Sequence, residues 1–375
     1  MLTDKQLYEL TQEIIDIARE IEMELILSIA SRLDVNDEVG GTAYWQLKQL
    51  NEMGSLHEES IRIIAKYSNK SIEEVKRMIK SAGIASIDFT SLDKVFELGL
   101  TTINPKSINI MPVIEAYQRA IEEETRMILT SAITESNIQY QKMIDKVALE
   151  VTGGFKSYDQ AIQSALNDLA DKGIVSTRYE GMNIHGEPYV IEYPIEASIR
   201  RTAMTAINQV ANKANERIID ELKPPQIAVS AHIGARSKGI DYENHEKWQG
   251  KIYDNDGTFE KKTGYNSGDM LGLGGYNCRH IHWAYWEGIS VEPEPVPQDD
   301  DRYDNEQRQR LLERRVRDSK KRIEVAKQSE DKEYIQREKK LLDRRLKALD
   351  EHCKTHGLVR QYARERIAKN YKPKE

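Results

Sequence analysis

Thiols are scarce in this chain of 375 residues, which has only Cys278 and Cys353, in unlike contexts. They give no disulfide framework, and a reducing compartment is the natural expectation. Phe and Trp number four each, and prolines ten. No run of about 18 apolar residues occurs, which excludes a transmembrane helix. The opening MLTDKQLYEL lacks a basic start leading into an apolar stretch, so no secretory signal is expected. Charge is what the chain has in quantity: 31% of residues are charged and 39% hydrophobic, with a mean hydropathy of -0.66. That balance reads as helix-rich with modest cores, and the length leaves room for two or three domains.

The formal net charge of -7 conceals an asymmetry. Residues 302–375 hold 24 Lys and Arg against 14 Asp and Glu, a surplus of +10, which leaves -17 on residues 1–301. A basic tail on an acidic body points to an acidic partner such as DNA or a protein surface. A solvated coiled coil of mixed charge is the plainer alternative, because acidic residues are interleaved throughout.

Apolar spacing of three and four from Leu7 to Leu33 predicts a first long helix, with Thr3 as a candidate cap. Residues 34–41 read as a break. A second helix is expected from Thr42 and a third over Leu56–Tyr67. Ser71 with Glu74 has the spacing of a capping box and predicts a new helix ending near Gly83. Met111–Thr152 reads as one very long helix or two stacked ones. Ser157–Lys172 is a further helix closed by Gly173. Residues 176–193 read as a β-hairpin turning at His185-Gly186. Ile195–Leu222 is helical again until Lys223-Pro224-Pro225 stops it.

The expected fold is mainly α with a small α+β module near its C-terminal side and a charged, coiled-coil-like helical tail. The expected segments are a helical domain over 1–100, a long-helix domain with the hairpin over 104–225, and a Gly/His/Trp-rich module over 226–290. A linker over 291–301 with alternating prolines favours extended polyproline II and would isolate a separable tail over 302–375. The last 25 residues are basic and are not expected to order by themselves.

The stretch from Ser230 to Ser290 concentrates the unusual residues. It holds four of the eight histidines, three of the four tryptophans, ten of the 21 glycines and Cys278. His232, His245, Cys278, His280 and His282 are the residue types that zinc prefers, with His232, His245, Cys278 and His280 the candidate ligand set. A buried hydrogen-bonded core of the same groups is the alternative, since the spacing matches no compact zinc finger. A cysteine nucleophile would need Cys278 paired with His280 or His245 and oriented by Asn277. Cys278 and His280 at i, i+2 would point opposite ways on a strand, which argues against it. A metal-dependent hydrolase or nuclease would use His245 with Asp241 or Asp254, but no tight His-Asn-His pattern supports it. Trp248, Trp283 and Trp286 serve as core in so small a module or as stacking surfaces for bases. Arg236 and Arg279 suit ion pairs or a phosphate contact.

Three separated motifs occur here in order: SAHIGAR over Ser230–Arg236, HEKWQGKIY over His245–Tyr253, and GYNCRH over Gly275–His280, followed by Gly288-Ile289-Ser290. With Tyr158–Ile174 and IEASIRRT from Ile195, they resemble the phage minor capsid protein 2 family, related to the MuF-type head morphogenesis proteins. The resemblance covers about residues 5–290 and stops before the linker and tail. It implies a non-enzymatic minor structural protein of the phage head. The implied partners are the portal protein and other head proteins in the virion, with assembly in the host cytoplasm. DNA packaging or delivery, DNA contact through the tail and self-association are further expectations of that reading. It marks His232, Arg236, His245, Trp248, Gly250, Asn277, Cys278, Arg279 and His280 as motif positions without giving them a chemical role.

Overall fold

The computed structural model describes residues 4–33, 41–182, 187–268, 270–276, 278–296, 300–328 and 332–368. Thr3, His185, Gly186 and Asn277, and almost all of the expected break over 34–41, lie outside them. The order is α1 (Asp4–Ala30), α2 (Thr42–Asn51), α3 (Met53–Ala85), α4 (Phe89–Glu97), α5 (Met111–Thr152), α6 (Tyr158–Lys172), β1 (Val175–Met182), β2 (Pro188–Pro194), α7 (Ile195–Leu222), β3 (Gln226–Val229), β4 (Ile252–Asp254), α8 (Thr258–Thr263), β5 (His282–Tyr285), α9 (Asp300–Ala326) and α10 (Lys332–Thr355). The protein is mainly α, with a two-stranded antiparallel hairpin, β1-β2, and a three-stranded antiparallel sheet in the order β4-β3-β5.

Two compact units divide the chain, each assembled from three segments. The first takes Met1–Ile14, Ile72–Glu124 and Arg200–Gln307, and includes the three-stranded sheet. The second takes Ile15–Ser71, Thr125–Ile199 and Arg308–Glu375, and includes the hairpin.

Two sequence expectations about α3 change. The capping box at Ser71 is not a helix start. Residues 53–85 form one helix, and the Ser71 hydroxyl donates back to the Tyr67 carbonyl at 2.9 Å. A serine facing the preceding turn can satisfy itself inside a helix, so the local pattern does not force a break. Gly83 does not end the helix either. A Cβ there would lie 2.8 Å from Cγ1 of Ile114, so the glycine permits close approach of α3 to α5 within the first unit. Residues 111–152 form one 42-residue helix.

The α6 start carries the reciprocal cap instead: Gln160 N donates to the Ser157 hydroxyl, and Ser157 N to the Gln160 side chain. At its end Gly173 has φ +69°, a conformation that favours glycine.

From Arg308 on, the charged tail packs within the second unit. Leu312 and Val316 of α9 pack with Leu349 and Cys353 of α10 and with Leu358, supported by Leu342 and Leu346. From α9, Arg317 pairs with Glu196 at 3.8 Å, Lys321 with Glu22 at 3.3 Å, and Arg322 with Asp171. Tyr334 donates to the Asn167 side chain. The apolar contacts of the tail are joined by cations that pair with acidic residues of the second unit, which composition alone does not reveal. Within the last 25 residues, Arg360 and Glu365 form an ion pair at 2.7 Å, and residues 369–375 lie outside the described chain.

Candidate functional site

The site is built on β3, β5 and the part of α7 that belongs to the first unit. Ser230, just past β3, donates its N–H to the Ile281 carbonyl and accepts the Ile281 N–H on its hydroxyl. This double contact fixes the approach to β5. Gly250 follows the HEKWQ motif with φ +64° and donates its N–H to the Ser230 carbonyl, so the turn returns the chain to the same point. Between α8 and Cys278 the loop folds tightly on itself. A Cβ on Gly275 would sit 2.1 Å from the Met270 carbonyl oxygen, so only glycine fits.

These turns bring His245, Cys278 and His280 together, all buried, each offering a donor atom within 4.8 Å of the others. The Cys278 sulfur lies 3.6 Å from Nδ1 of His280. Convergence at i, i+2 contradicts the strand geometry expected from sequence. The strand begins only at His282, and residues 278–280 precede it in irregular backbone. Trp248 packs edge-on against the His280 ring and beside His245, with ring centroids 4.7 and 4.6 Å away. Its indole N–H donates to the Tyr242 carbonyl at 2.7 Å.

Partners fix the tautomers. His245 Nε2 lies 2.8 Å from the Leu271 carbonyl, so it carries the proton and donates. His280 Nε2 lies 2.9 Å from Gln249 Oε1, and the same oxygen accepts the His232 N–H at 3.0 Å. That atom is therefore an acceptor, and His280 Nε2 donates. His282 Nδ1 lies 2.7 Å from Asn212 Oδ1, which also accepts the His282 N–H, while the Asn212 amide donates to the His280 carbonyl at 3.1 Å. His282 is therefore protonated at Nδ1, and it sits between Phe259 and Tyr265, away from the cluster.

Burial disfavours charge on these rings. It lowers His245 to about 4, His282 to about 3, and His280 well below the ordinary imidazole value. Burial also raises the Cys278 thiol. The group is thus held as neutral imidazoles and a neutral thiol.

His232 is half-buried and stacks on His280, with ring centroids 4.3 Å apart and 26° between planes. Its Nδ1 meets an Arg279 nitrogen at 3.3 Å, so it covers the cluster without entering the donor group. The Arg236 side chain donates to the Leu271 carbonyl at 3.1 Å, beside His245. Asp241 and Asp254 lie outside the donor group, and Asp254 accepts from the Gln226 side chain at 3.1 Å.

Three contributors escaped the sequence reading: Gln249, Asn208 and Asn212. Asn208 donates to the His280 carbonyl at 2.8 Å. With Asn215, which donates to the Ser86 carbonyl at 3.3 Å, the two asparagines make a polar seam at steps of four and three on α7. That spacing was available as a signal: three asparagines on one face of an Ala- and Ile-rich helix.

In comparisons with known proteins, the family described as phage minor capsid protein 2 matches residues 2–354. A curated relative from Lactococcus phage LL-H, described as "Structural protein", is 24% identical over 300 residues, covering 75% of this chain and 77% of that protein. No solved structure matches.

Proposed function

This chain belongs to the phage minor capsid protein 2 family, and from that premise we propose that it acts in the head beside the portal, as an assembly component rather than a catalyst. Its role as a phage structural protein follows from the family and from the phage relative. The portal contact is the finer reading, and one observation carries it. The β1-β2 hairpin presents Tyr179, Met182, Tyr189, Val190 and Ile191 to solvent, with Met182 75% and Val190 56% exposed. A two-stranded hairpin is marginal by itself in water, and an exposed apolar group of this kind marks a contact surface. The structural reading of the module rests on the family and on the phage relative.

The test uses the purified full chain and the purified portal protein of the same phage in size-exclusion chromatography. A co-eluting complex that Val190→Asp and Ile191→Asp weaken is the expected result. Absence of any complex, together with absence of the chain from purified heads, would overturn the reading.

Contact with DNA is the second reading, favoured by α10. Arg337, Lys340, Arg344 and Lys347 are exposed and spaced along one face. If they meet phosphates, duplex binding should weaken steeply with salt and should fall in a Lys340→Glu, Arg344→Glu variant. Equal binding by both proteins across a salt titration would remove DNA from the account.

A further inference from the structure

We propose that His245, Cys278 and His280 form a zinc site that staples the glycine-rich module, with Gln249 and the Leu271 carbonyl as its outer supports. The inference is independent of the portal reading.

Geometry comes first. The three donor atoms already lie within 4.8 Å of one another. A tetrahedral zinc with ordinary Zn–N and Zn–S lengths separates a nitrogen ligand from a sulfur ligand by about 3.5 Å. The observed separation from the Cys278 sulfur to His280 Nδ1 is 3.6 Å. That edge already has the length a metal would require, and the other two are no longer than 4.8 Å.

The second observation is the tautomer set. Imidazoles that ligate metals usually donate their other N–H to a carbonyl or carboxylate, which orients the ring and fixes the free nitrogen. Both rings do so here. His245 Nε2 donates to the Leu271 carbonyl and His280 Nε2 to Gln249 Oε1, leaving Nδ1 on each as the lone-pair nitrogen. His282, equally buried on the adjacent strand, has the opposite tautomer and an aromatic cage, and is no ligand. His282 also has a carbonyl acceptor for its ring N–H, at Asn212, so what separates it from the other two is its place outside the donor group.

Two imidazoles and one thiolate select zinc, or cobalt(II) as its spectroscopic stand-in, over hard oxygen-seeking ions. Binding forms one metal–sulfur and two metal–nitrogen bonds, and the thiol proton leaves to solvent. Among the described residues no fourth His, Cys or carboxylate joins the group. His232 stacks on the His280 ring and Trp248 meets that ring edge-on, so both flank the group. Three ligands from two separated turns would tie the His245 turn to the Cys278–His280 segment.

The test is cobalt(II) titration of the full chain after chelator treatment. A near-ultraviolet thiolate-to-cobalt charge-transfer band should appear, saturate at one equivalent per chain, and vanish when zinc is added. The chain contains only two cysteines, so the thiolate can be assigned even if one variant misfolds. Cys353→Ser should keep the band and Cys278→Ser should lose it. His232→Ala should keep it as well. Chain purified without chelators should carry about one zinc by elemental analysis. No charge-transfer band in the full chain, or a band lost in Cys353→Ser, would overturn the proposal.

Discussion

The two units bury polar groups by opposite means. In the glycine-rich module of the first unit, the buried polar side chains are kept neutral. His245, His280 and His282 are uncharged rings hydrogen-bonded to carbonyl oxygens, and Asn208 and Asn212 join them to α7. The second unit also buries ions. Arg19, almost wholly buried, pairs with Asp16 and with Glu196, both at 3.2 Å, and donates to the Ala363 carbonyl at 2.7 Å. Arg317 and Lys321 bring further cations to Glu196 and Glu22. A neutral network holds groups that can exchange a proton for a metal. An ionic network fixes the helices that carry it, and it fails badly when one partner is removed.

The contrast gives opposite responses to pH. A buried imidazole whose folded value is lowered contributes stability above its unfolded value near 6.5, and loses it as pH falls toward the folded value. For His245 that window runs from about 6.5 down to about 4. In the second unit, burial and the neighbouring Asp171 raise Asp318 to about 6, against Lys321 and Arg317. Its proton is held more tightly when folded. That contribution is complete below the unfolded carboxyl value and is lost as pH rises through about 6.

The comparison breaks most visibly at Arg19. Arg19→Ala leaves Asp16 and Glu196 buried beside a lost partner and should destabilise the protein by about 3–5 kcal/mol in urea unfolding at neutral pH. A change below about 1 kcal/mol would mean that water already screens the network.

Asn212→Ala tests the neutral side. It removes the acceptor of the His282 ring and N–H and one donor to the His280 carbonyl, with an expected loss of about 2–3 kcal/mol. Near-ultraviolet circular dichroism from Trp248 and Trp283 should register the loss. An unchanged spectrum and stability would show that the asparagine seam does not support the site.

The smallest effect has the opposite sign. Asp318→Asn should raise stability at pH 7–8 by about 1 kcal/mol, discounted for partial solvent screening, and the gain should shrink as pH falls below 6. A gain that stays constant from pH 8 to pH 4 would contradict the assignment.

Much of the helical frame was legible, because steps of three and four in apolar residues report a buried helix face directly. Leu7, Ile14, Ile17, Ile21, Leu25 and Ile29 are all buried as that pattern requires. Local signals misled where tertiary packing could satisfy them otherwise. Ser71 back-bonds within α3, and Gly83 serves close packing rather than a helix end. The tail misled for a different reason: Lys321 and Arg322 pair with Glu22 and Asp171, more than 150 positions away in sequence, and composition does not encode such pairings. The site was half legible. Residue types singled out His245, Cys278 and His280, but His232 reads the same in sequence and only the ring stacking separates it. Gln249 and the asparagines contribute through hydrogen bonds that leave no mark on hydropathy.

Nitrogen-15 NMR of the histidine rings in chelator-treated chain at pH 6 tests the neutral core most directly, since an ordinary imidazole is mostly charged there. The structure predicts neutral rings protonated at Nε2 for His245 and His280 and at Nδ1 for His282. Charged rings at pH 6, or the reverse tautomers, would contradict it.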